Sequence, residues 1–198
     1  MFRTARHLRA YALVVTTSLL SIGCSSDGPT GVLGGKHTSQ PLDPAAVLAV
    51  ATASEGQRTP DLSACPDLAI DGKLAYHVYA KGVQIYRWSG SAWTLVGPDA
   101  QLSADAAGNS TVGIHYAGPT WESNSGSKVV GTVAKRCPQP NAIPWLLLDA
   151  ASEGPGIFHR VTQIQRVNTV GGSAPAAPGA FVGAEERVAY SAEYFFYR

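Results

Sequence analysis

The sequence lacks the features that would assign it to several common classes of protein. Only 15% of its 198 residues are charged, and 15 Lys and Arg stand against 14 Asp and Glu, so no basic field exists to attract nucleic acid. No apolar run reaches the roughly 20 residues of a permanent membrane-spanning helix. The motifs G-x-S-x-G, H-E-x-x-H and G-x-G-x-x-G are missing, so serine esterase, zincin and dinucleotide-binding functions have no support. The sequence indicates no cofactor.

An export signal is predicted at the N-terminus, over residues 1–23. This stretch contains Arg3, Arg6 and Arg9 and no acidic residue, and an apolar run over residues 10–20 is followed by small residues. That order is typical of a secretory signal peptide. Its removal would leave 12 of the 15 basic residues against 14 acidic ones, so the mature chain would carry a net charge near −2.

The residue after this leader is Cys24, and Gly23-Cys24 resembles the lipobox of bacterial lipoproteins, in which the cysteine is acylated and becomes the mature N-terminus. Ser21 stands where a lipobox usually has Leu. Two or three acyl chains would anchor the protein stably to a membrane. We therefore expect a palmitate-bearing lipoprotein of the bacterial cell envelope, in the outer membrane and facing the periplasm or the cell surface. The alternative is ordinary signal cleavage without lipid.

Residues 24–60 are predicted to be a flexible linker between the lipid and a folded domain. They are rich in Gly, Ser, Thr and Pro, which bury too little apolar surface to offset chain entropy. One apolar stretch, PAAVLAVATA at 44–53, could form a short helix, although a linker is the favoured interpretation. The remaining residues, 61–198, are enough to bury one core and are expected to form a single domain.

This domain is predicted to be mainly β. Short runs of Val, Ile, Tyr, Thr and Trp alternate with Gly, Pro, Asn and Asp, which favours an antiparallel β-sandwich or barrel of about eight strands. Turns are expected at Asp71-Gly72 and Lys81-Gly82. The run IPWLLL at 143–148 predicts a strand buried on both faces with Pro144 at its start. The predicted strands are 74–80, 83–88, 92–97, 112–117, 128–134, 143–149, 161–168 and 187–197, the seventh with a bulge or two-sided burial.

Cys65 and Cys137 remain once Cys24 is assigned to the lipid. An even number of cysteines in an oxidising compartment favours a disulfide between them, and two unpaired thiols are the alternative. Neither cysteine lies in a C-x-x-C motif or has a His at ligand spacing. His77, His115 and His159 show no spacing that supports a metal site, and none is predicted.

Six short motifs between Leu68 and Arg198 distinguish the sequence of the domain. They are GVQIY at 82–86, HYAGPTWE at 115–122, GSKVVG at 126–131, IPWLL at 143–147, VTQIQRVNT at 161–169 with GG at 171–172, and YSAEY at 190–194. In these motifs the chain resembles a family of exported bacterial and fungal proteins known only as a domain of unknown function. The resemblance covers nearly all of the domain, and it implies no established reaction.

The stretch HYAGPTWE contains the residues most suited to chemistry. His115 and Glu122 flank a Gly-Pro turn and could share a cleft as general base and acid. With Trp121 they could instead bind a ligand. The structural alternative is that Trp121 fills the core, His115 bonds a backbone carbonyl and Glu122 pairs with a nearby cation.

A second polar cluster lies at the end of the predicted strand 161–168 and consists of Gln163, Gln165, Arg166, Asn168 and Thr169. Arg166 and Asn168 are its candidate ligand-binding residues. An arginine offers a forked donor suited to a ligand carboxylate, although such a row can also be an internal hydrogen-bond network. The leading hypothesis is a non-catalytic envelope module that binds a small molecule or envelope component, or is structural, with no nucleic-acid partner. The second is a hydrolase or isomerase that uses His115 and Glu122.

Overall fold

The computed structural model describes residues 59–198, so the predicted signal peptide, Cys24, the apolar stretch at 44–53 and almost all of the predicted linker lie outside the described residues. The domain is a closed antiparallel barrel of eight strands, each paired with its neighbours in sequence, and the last strand pairs with the first. The prediction of about eight strands in a sandwich or barrel is confirmed as a barrel. The strands are β1 (Leu74–Trp88), β2 (Trp93–Ser103), β3 (Thr111–Tyr116), β4 (Thr120–Ser123), β5 (Lys128–Gln139), β6 (Ala142–Glu153), β7 (Gln163–Gly171) and β8 (Glu185–Tyr197).

Alternate side chains of the strands fill the barrel, because successive residues of a strand point to opposite faces. Val78, Leu102, Val129, Leu148 and Phe196 are almost completely buried in this main core. Apolar side chains at one position in two are therefore enough to specify which face of each strand turns inward.

A second apolar layer lies outside the barrel and explains the wholly apolar run in β6. A short 3-10 helix (Pro66–Leu68) lies over the outward face of β6, where Leu68 and Leu147 pack with Cys65. The predicted disulfide between Cys65 and Cys137 is present, with the two Cα atoms 6.0 Å apart. It attaches this N-terminal segment to β5. Within residues 59–198, no helix is long and apolar enough to cross a membrane.

The predicted turn at Lys81-Gly82 is wrong, because β1 runs unbroken through both residues. Gly82 serves a different purpose there. A Cβ atom at this position would lie 2.2 Å from the Asp99 carbonyl oxygen and 2.5 Å from Ala100 Cα. The backbones of β1 and β2 thus approach too closely for any side chain, and the glycine marks a close contact rather than a turn.

Strand β7 has the two-sided burial and the bulge that the sequence predicts. Ile164 faces the main core, Val167 belongs to an outer cluster, and the register shifts after Val167. Asn168 lies at this shift with a φ of 51°, a left-handed conformation that asparagine tolerates better than most residues. In β6, Pro144 is the third residue, near the start of the strand as expected.

The hairpin of β3 and β4 is short, and this leaves a gap in the barrel wall. Strand β2 pairs with β3 only from Asp99 onward, and β5 pairs with β4 only up to Val130. Within the described residues, 93–98 of β2 and 131–139 of β5 therefore have no strand partner on the side facing the hairpin. We call this gap the lateral window. The turn between β3 and β4 closes one end of it, where the backbone N–H of Gly131 donates to the Pro119 carbonyl oxygen.

Candidate functional site

A cavity of about 230 Å³ extends from the lateral window into the barrel and is open to solvent at the window. Its rim comes from residues 95–98 of β2, the β3–β4 turn, and Val133 and Arg136 of β5. Its inner walls are apolar and aromatic side chains interrupted by a few polar groups, the composition usual for a small-molecule site. The inner lining residues are Gln84, His115, Trp121, Leu146, Leu148, Arg166 and Tyr194.

His115 and Trp121 face each other across the β3–β4 hairpin and form one wall. They are directly paired in register, and their rings stack with centroids 4.3 Å apart and an interplanar angle of 9°. Trp121 fits because Gly131 lies beneath it, where a Cβ atom would come within 3.0 Å of the indole. Two members of the HYAGPTWE motif are thus fixed in the cavity by strand register and packing.

The imidazole of His115 is held as one neutral tautomer. Nδ1 lies 2.8 Å from the Thr120 carbonyl oxygen, which can only accept, so Nδ1 carries the proton and Nε2 keeps a lone pair. Burial lowers the pKa of His115 to about 3, against the hydrogen bond to Thr120, which raises it, and with the positive charge of Arg166, which lowers it further. At neutral pH the ring can offer the cavity an acceptor but no positive charge.

Three other cavity residues carry hydrogen-bonding groups with no protein partner of good geometry. They are Gln84 through Nε2, Trp121 through Nε1 and Tyr194 through its hydroxyl, and all three side chains are at least 98% buried. Tyr190 and Arg166 lie close to the Tyr194 hydroxyl, although no well-formed bond results. A buried donor without a partner costs about 1–3 kcal/mol, so these groups are unusual for a packed core.

Arg166 is the residue of the second predicted cluster that faces the cavity. Its Nε and Nη2 donate to the Pro144 carbonyl oxygen at 3.1 and 2.8 Å, which fixes the guanidinium against β6. No carboxylate lines the cavity, and no ion pair of Arg166 occurs among the residues of the described domain. Its charge instead acts on neighbouring groups such as Tyr194, whose pKa is raised by burial and lowered in part by Arg166.

Glu122 does not share this cavity with His115. It is paired in register with Ile114, whose side chain is exposed, so both lie on the outer face of the hairpin. There its carboxylate accepts the Tyr116 hydroxyl at 2.9 Å and lies 3.3 Å from Lys128 Nζ. The two proposed catalytic side chains therefore point to opposite sides of the barrel wall, an arrangement that offers no acid–base pair.

Asn168 also lies outside the cavity, where its amide donates to Glu193 at 3.0 Å. Gln165, next to Arg166, faces outward as well and donates to the Leu68 carbonyl oxygen at 2.6 Å. Thr169 bonds the backbone of Ile143. The polar row of β7 is thus a structural network that fixes the strand and the outer segment, apart from Arg166.

The described histidines do not converge. His77 bonds Glu193 at 2.9 Å on the outer face, His115 is inside the barrel, and His159 lies in the loop before β7. In residues 59–198 no three His, Cys, Asp or Glu side chains come together in a way that could hold a metal ion.

Gln84 and Tyr194 were not among the sequence candidates, although a signal for both was present. Val78, Ala80, Gln84 and Tyr86 occupy positions of equal parity in β1, and Val78 and Ala80 are apolar. Once β1 is treated as a single strand, Gln84 is therefore a polar side chain at a core position. The expected turn at Lys81-Gly82 concealed that regularity. Arg136, at the rim, could not be found from sequence because only the short hairpin leaves it beside an opening.

Comparison with known proteins places the chain in a family without a known activity. No curated protein and no solved structure matches it. A family model described as "Protein of unknown function (DUF3455)" matches residues 69–198, which is more than half of the chain and includes all eight strands of the barrel. The matched region contains every residue that lines the cavity. Because the match extends over more than half of the chain, the chain belongs to this family of proteins of unknown function.

Proposed function

We propose that the domain is a non-catalytic binding module that takes up a small organic molecule in the interior of its barrel. The observation that carries the proposal is the 230 Å³ cavity together with the buried, unpartnered N–H groups of Gln84 and Trp121, two of the residues that line it. A well-packed core leaves no such space and satisfies its donors. A bound ligand would both occupy this space and accept hydrogen bonds from these donors.

The lateral window gives this ligand a route from solvent. The exposed side chains of Leu95 and Val96 lie on one side of it and Arg136 on the other, while the stacked pair of His115 and Trp121 forms the inner wall. An enzyme based on His115 and Glu122 is not favoured, because the wall of the barrel separates the two side chains. The pKa of His115, lowered to about 3 by burial, also makes it a weak base.

Cavity filling tests the proposal. Val133 lines the cavity, so Val133→Trp should block it, whereas Ile114→Trp adds the same indole to the exposed outer face of β3. A library of small aromatic and aliphatic compounds is screened by thermal shift and ligand-observed NMR. Compounds that bind the wild type should stabilise it by about 2.7 kcal/mol at a hundredfold excess over Kd.

Those compounds should lose their effect on Val133→Trp and keep it on Ile114→Trp. The proposal fails if no compound shifts the wild-type melting temperature, or if the two tryptophan variants respond alike. Both variants are first compared by circular dichroism, so that loss of binding is read only from folded protein.

We further propose that the domain is held in the bacterial cell envelope by acylation of Cys24. The leader, the Gly23-Cys24 pair and the Gly- and Ser-rich segment after it support this proposal. Cys24→Ala should move the protein from the membrane fraction to the soluble fraction, with wild type as the control. Continued membrane partitioning of the variant would contradict the anchor.

A further inference from the structure

We infer that the molecule bound in the barrel is a small carboxylate, with its charged group at Arg166 and an apolar body of about one aromatic ring toward the window. The inference rests on the proposed binding function and specifies its ligand class. Its basis is the charge balance of the cavity, the geometry of the free donors and the available volume.

The cavity carries positive charge that no carboxylate of its lining balances. Arg166 is a partly buried cation without a carboxylate partner in the described domain, and Arg136 is a second cation at the rim. His115 is neutral and adds no charge of either sign to the cavity. A partly buried charge without a counter-ion is less stable than a paired one, so an anionic ligand beside Arg166 would gain a favourable ion pair. Arg136 at the window would attract such an anion from solvent.

The donors around Arg166 match a carboxylate in number and type. A guanidinium has five N–H donors, and the bonds from Nε and Nη2 to Pro144 leave up to three, beside which the Tyr194 hydroxyl also lies. Gln84 and Trp121, whose buried N–H groups have no protein partner, line the same cavity. A carboxylate has two oxygens with about four acceptor sites, so it can satisfy donors of this kind together.

The volume limits the rest of the molecule. A protein cavity of about 150 Å³ holds benzene, and 230 Å³ leaves room for a ring and a carboxyl group. Leu146, Leu148 and Val133 provide apolar contact for that ring. Phenylacetate is therefore a suitable probe, with phenylacetamide as its neutral isostere and phenethylamine as its cationic counterpart.

The test measures the affinity of the full chain for these three compounds by calorimetry or NMR titration. Wild type should bind phenylacetate at least about tenfold more tightly than phenylacetamide, and phenethylamine should bind least. Arg166→Gln should remove the preference for the acid while leaving the affinity for phenylacetamide within about threefold. Arg187→Gln is the matched control, because Arg187 lies on the outer face beside Asp99, and it should keep the wild-type preference.

If Arg166→Gln does not fold because the contact with Pro144 is lost, Arg166→Lys is tested in its place. It retains the charge, so it should still favour the acid, although less strongly because the forked donor is lost. Equal binding of acid and amide by wild type would overturn the inference and leave the proposed binding function intact. Tightest binding of the amine would also overturn it. No binding of any of the three compounds would also overturn the inference. The proposed binding function would then be tested separately by the thermal-shift and NMR screen of the wider library.

Discussion

At the scale of single residues, the cavity depends on an imidazole that stays uncharged. His115 is 98% buried, and its Nδ1–H donates to the Thr120 carbonyl oxygen. Protonating Nε2 would place a second positive charge near Arg166 with no solvent to screen it. Burial therefore dominates, and the pKa of His115 falls to about 3.

This depressed pKa makes stability depend on pH. Between about pH 6.5 and 3 the unfolded chain binds a proton at His115 that the folded chain does not, so the free energy of unfolding rises with pH in that window. The slope from this group is at most about 1.4 kcal/mol per pH unit. His115→Asn keeps a donor for Thr120 but has no titrating group. We expect the stability difference between wild type and His115→Asn in urea unfolding to narrow as the pH falls from 7 to 4.

A second measurement isolates the same residue. The ring protons of His115 should show no titration in NMR spectra between pH 8 and 4. A stability difference that is constant with pH, or a His115 resonance that titrates near pH 6.5, would contradict the neutral ring.

Gly82 is the second residue on which the barrel depends, because it allows β1 and β2 to approach closely. Gly82→Ala should lower the free energy of unfolding by about 3 kcal/mol, since the new Cβ would meet backbone atoms of Asp99 and Ala100 that cannot move aside. Gly72→Ala is the matched control. Its Cβ would meet Ile70 Cγ2 at 3.2 Å, a side-chain contact that can relax, and we expect a loss below about 1 kcal/mol. Equal losses in urea unfolding would refute the close-approach role.

At the scale of strands, the sequence was informative where burial has a simple period and misleading where it does not. The ends of β3, β6 and β8 were predicted within a few residues, because apolar and turn residues bound them clearly. The turn at Lys81-Gly82 was wrong because a glycine signals a turn and a close contact equally well. Strand β4, only four residues long, was missed because it is too short to show alternation.

The candidate site was predictable only in part: the sequence indicated some of the residues that line the cavity and also two that lie outside it. Of the predicted ligand-binding residues, His115, Trp121 and Arg166 line the cavity, and the type of each side chain was the signal that selected it. Glu122 and Asn168 were proposed with them on sequence proximity. Glu122 faces outward because neighbours in a strand face opposite sides of the barrel, and Asn168 does so because of the irregularity after Val167, which simple alternation does not predict.

The N-terminal segment is the element whose removal should affect stability most selectively. The disulfide closes a loop between residues 72 positions apart, which stabilises a fold by about 4 kcal/mol in the chain-entropy account. Cys65→Ser combined with Cys137→Ser should lower the unfolding free energy by about that amount. It should also speed amide exchange at Leu68 and Ala69, which the bridge holds against the barrel. Reductant should reproduce the loss in wild type and leave the double variant unchanged; a wild-type melting temperature that is insensitive to reductant would contradict this.

At the scale of the whole molecule, the cavity and the segment that covers the outside of the barrel are separate. Every residue that lines the cavity lies between Gln84 and Tyr194, whereas the outer layer is built from residues 62–70 packed on Leu147, Val167 and Phe195. The two share strands but not side chains, since opposite faces of β6, β7 and β8 serve them. Binding and stability should therefore respond differently to shortening the chain.

Two fragments test that separation. Residues 59–198 keep the disulfide and both layers, so this fragment should bind phenylacetate with the affinity of the full chain. Residues 72–198 lose Cys65, Leu68 and the carbonyl that Gln165 uses, and expose Leu147, so this fragment should melt at a distinctly lower temperature. Below that temperature its cavity is unchanged, and its affinity should stay within about threefold of the longer fragment. If the shorter fragment is folded but does not bind, the outer segment must support the cavity walls through β6 and β7, and the two faces of the barrel cannot be treated as independent.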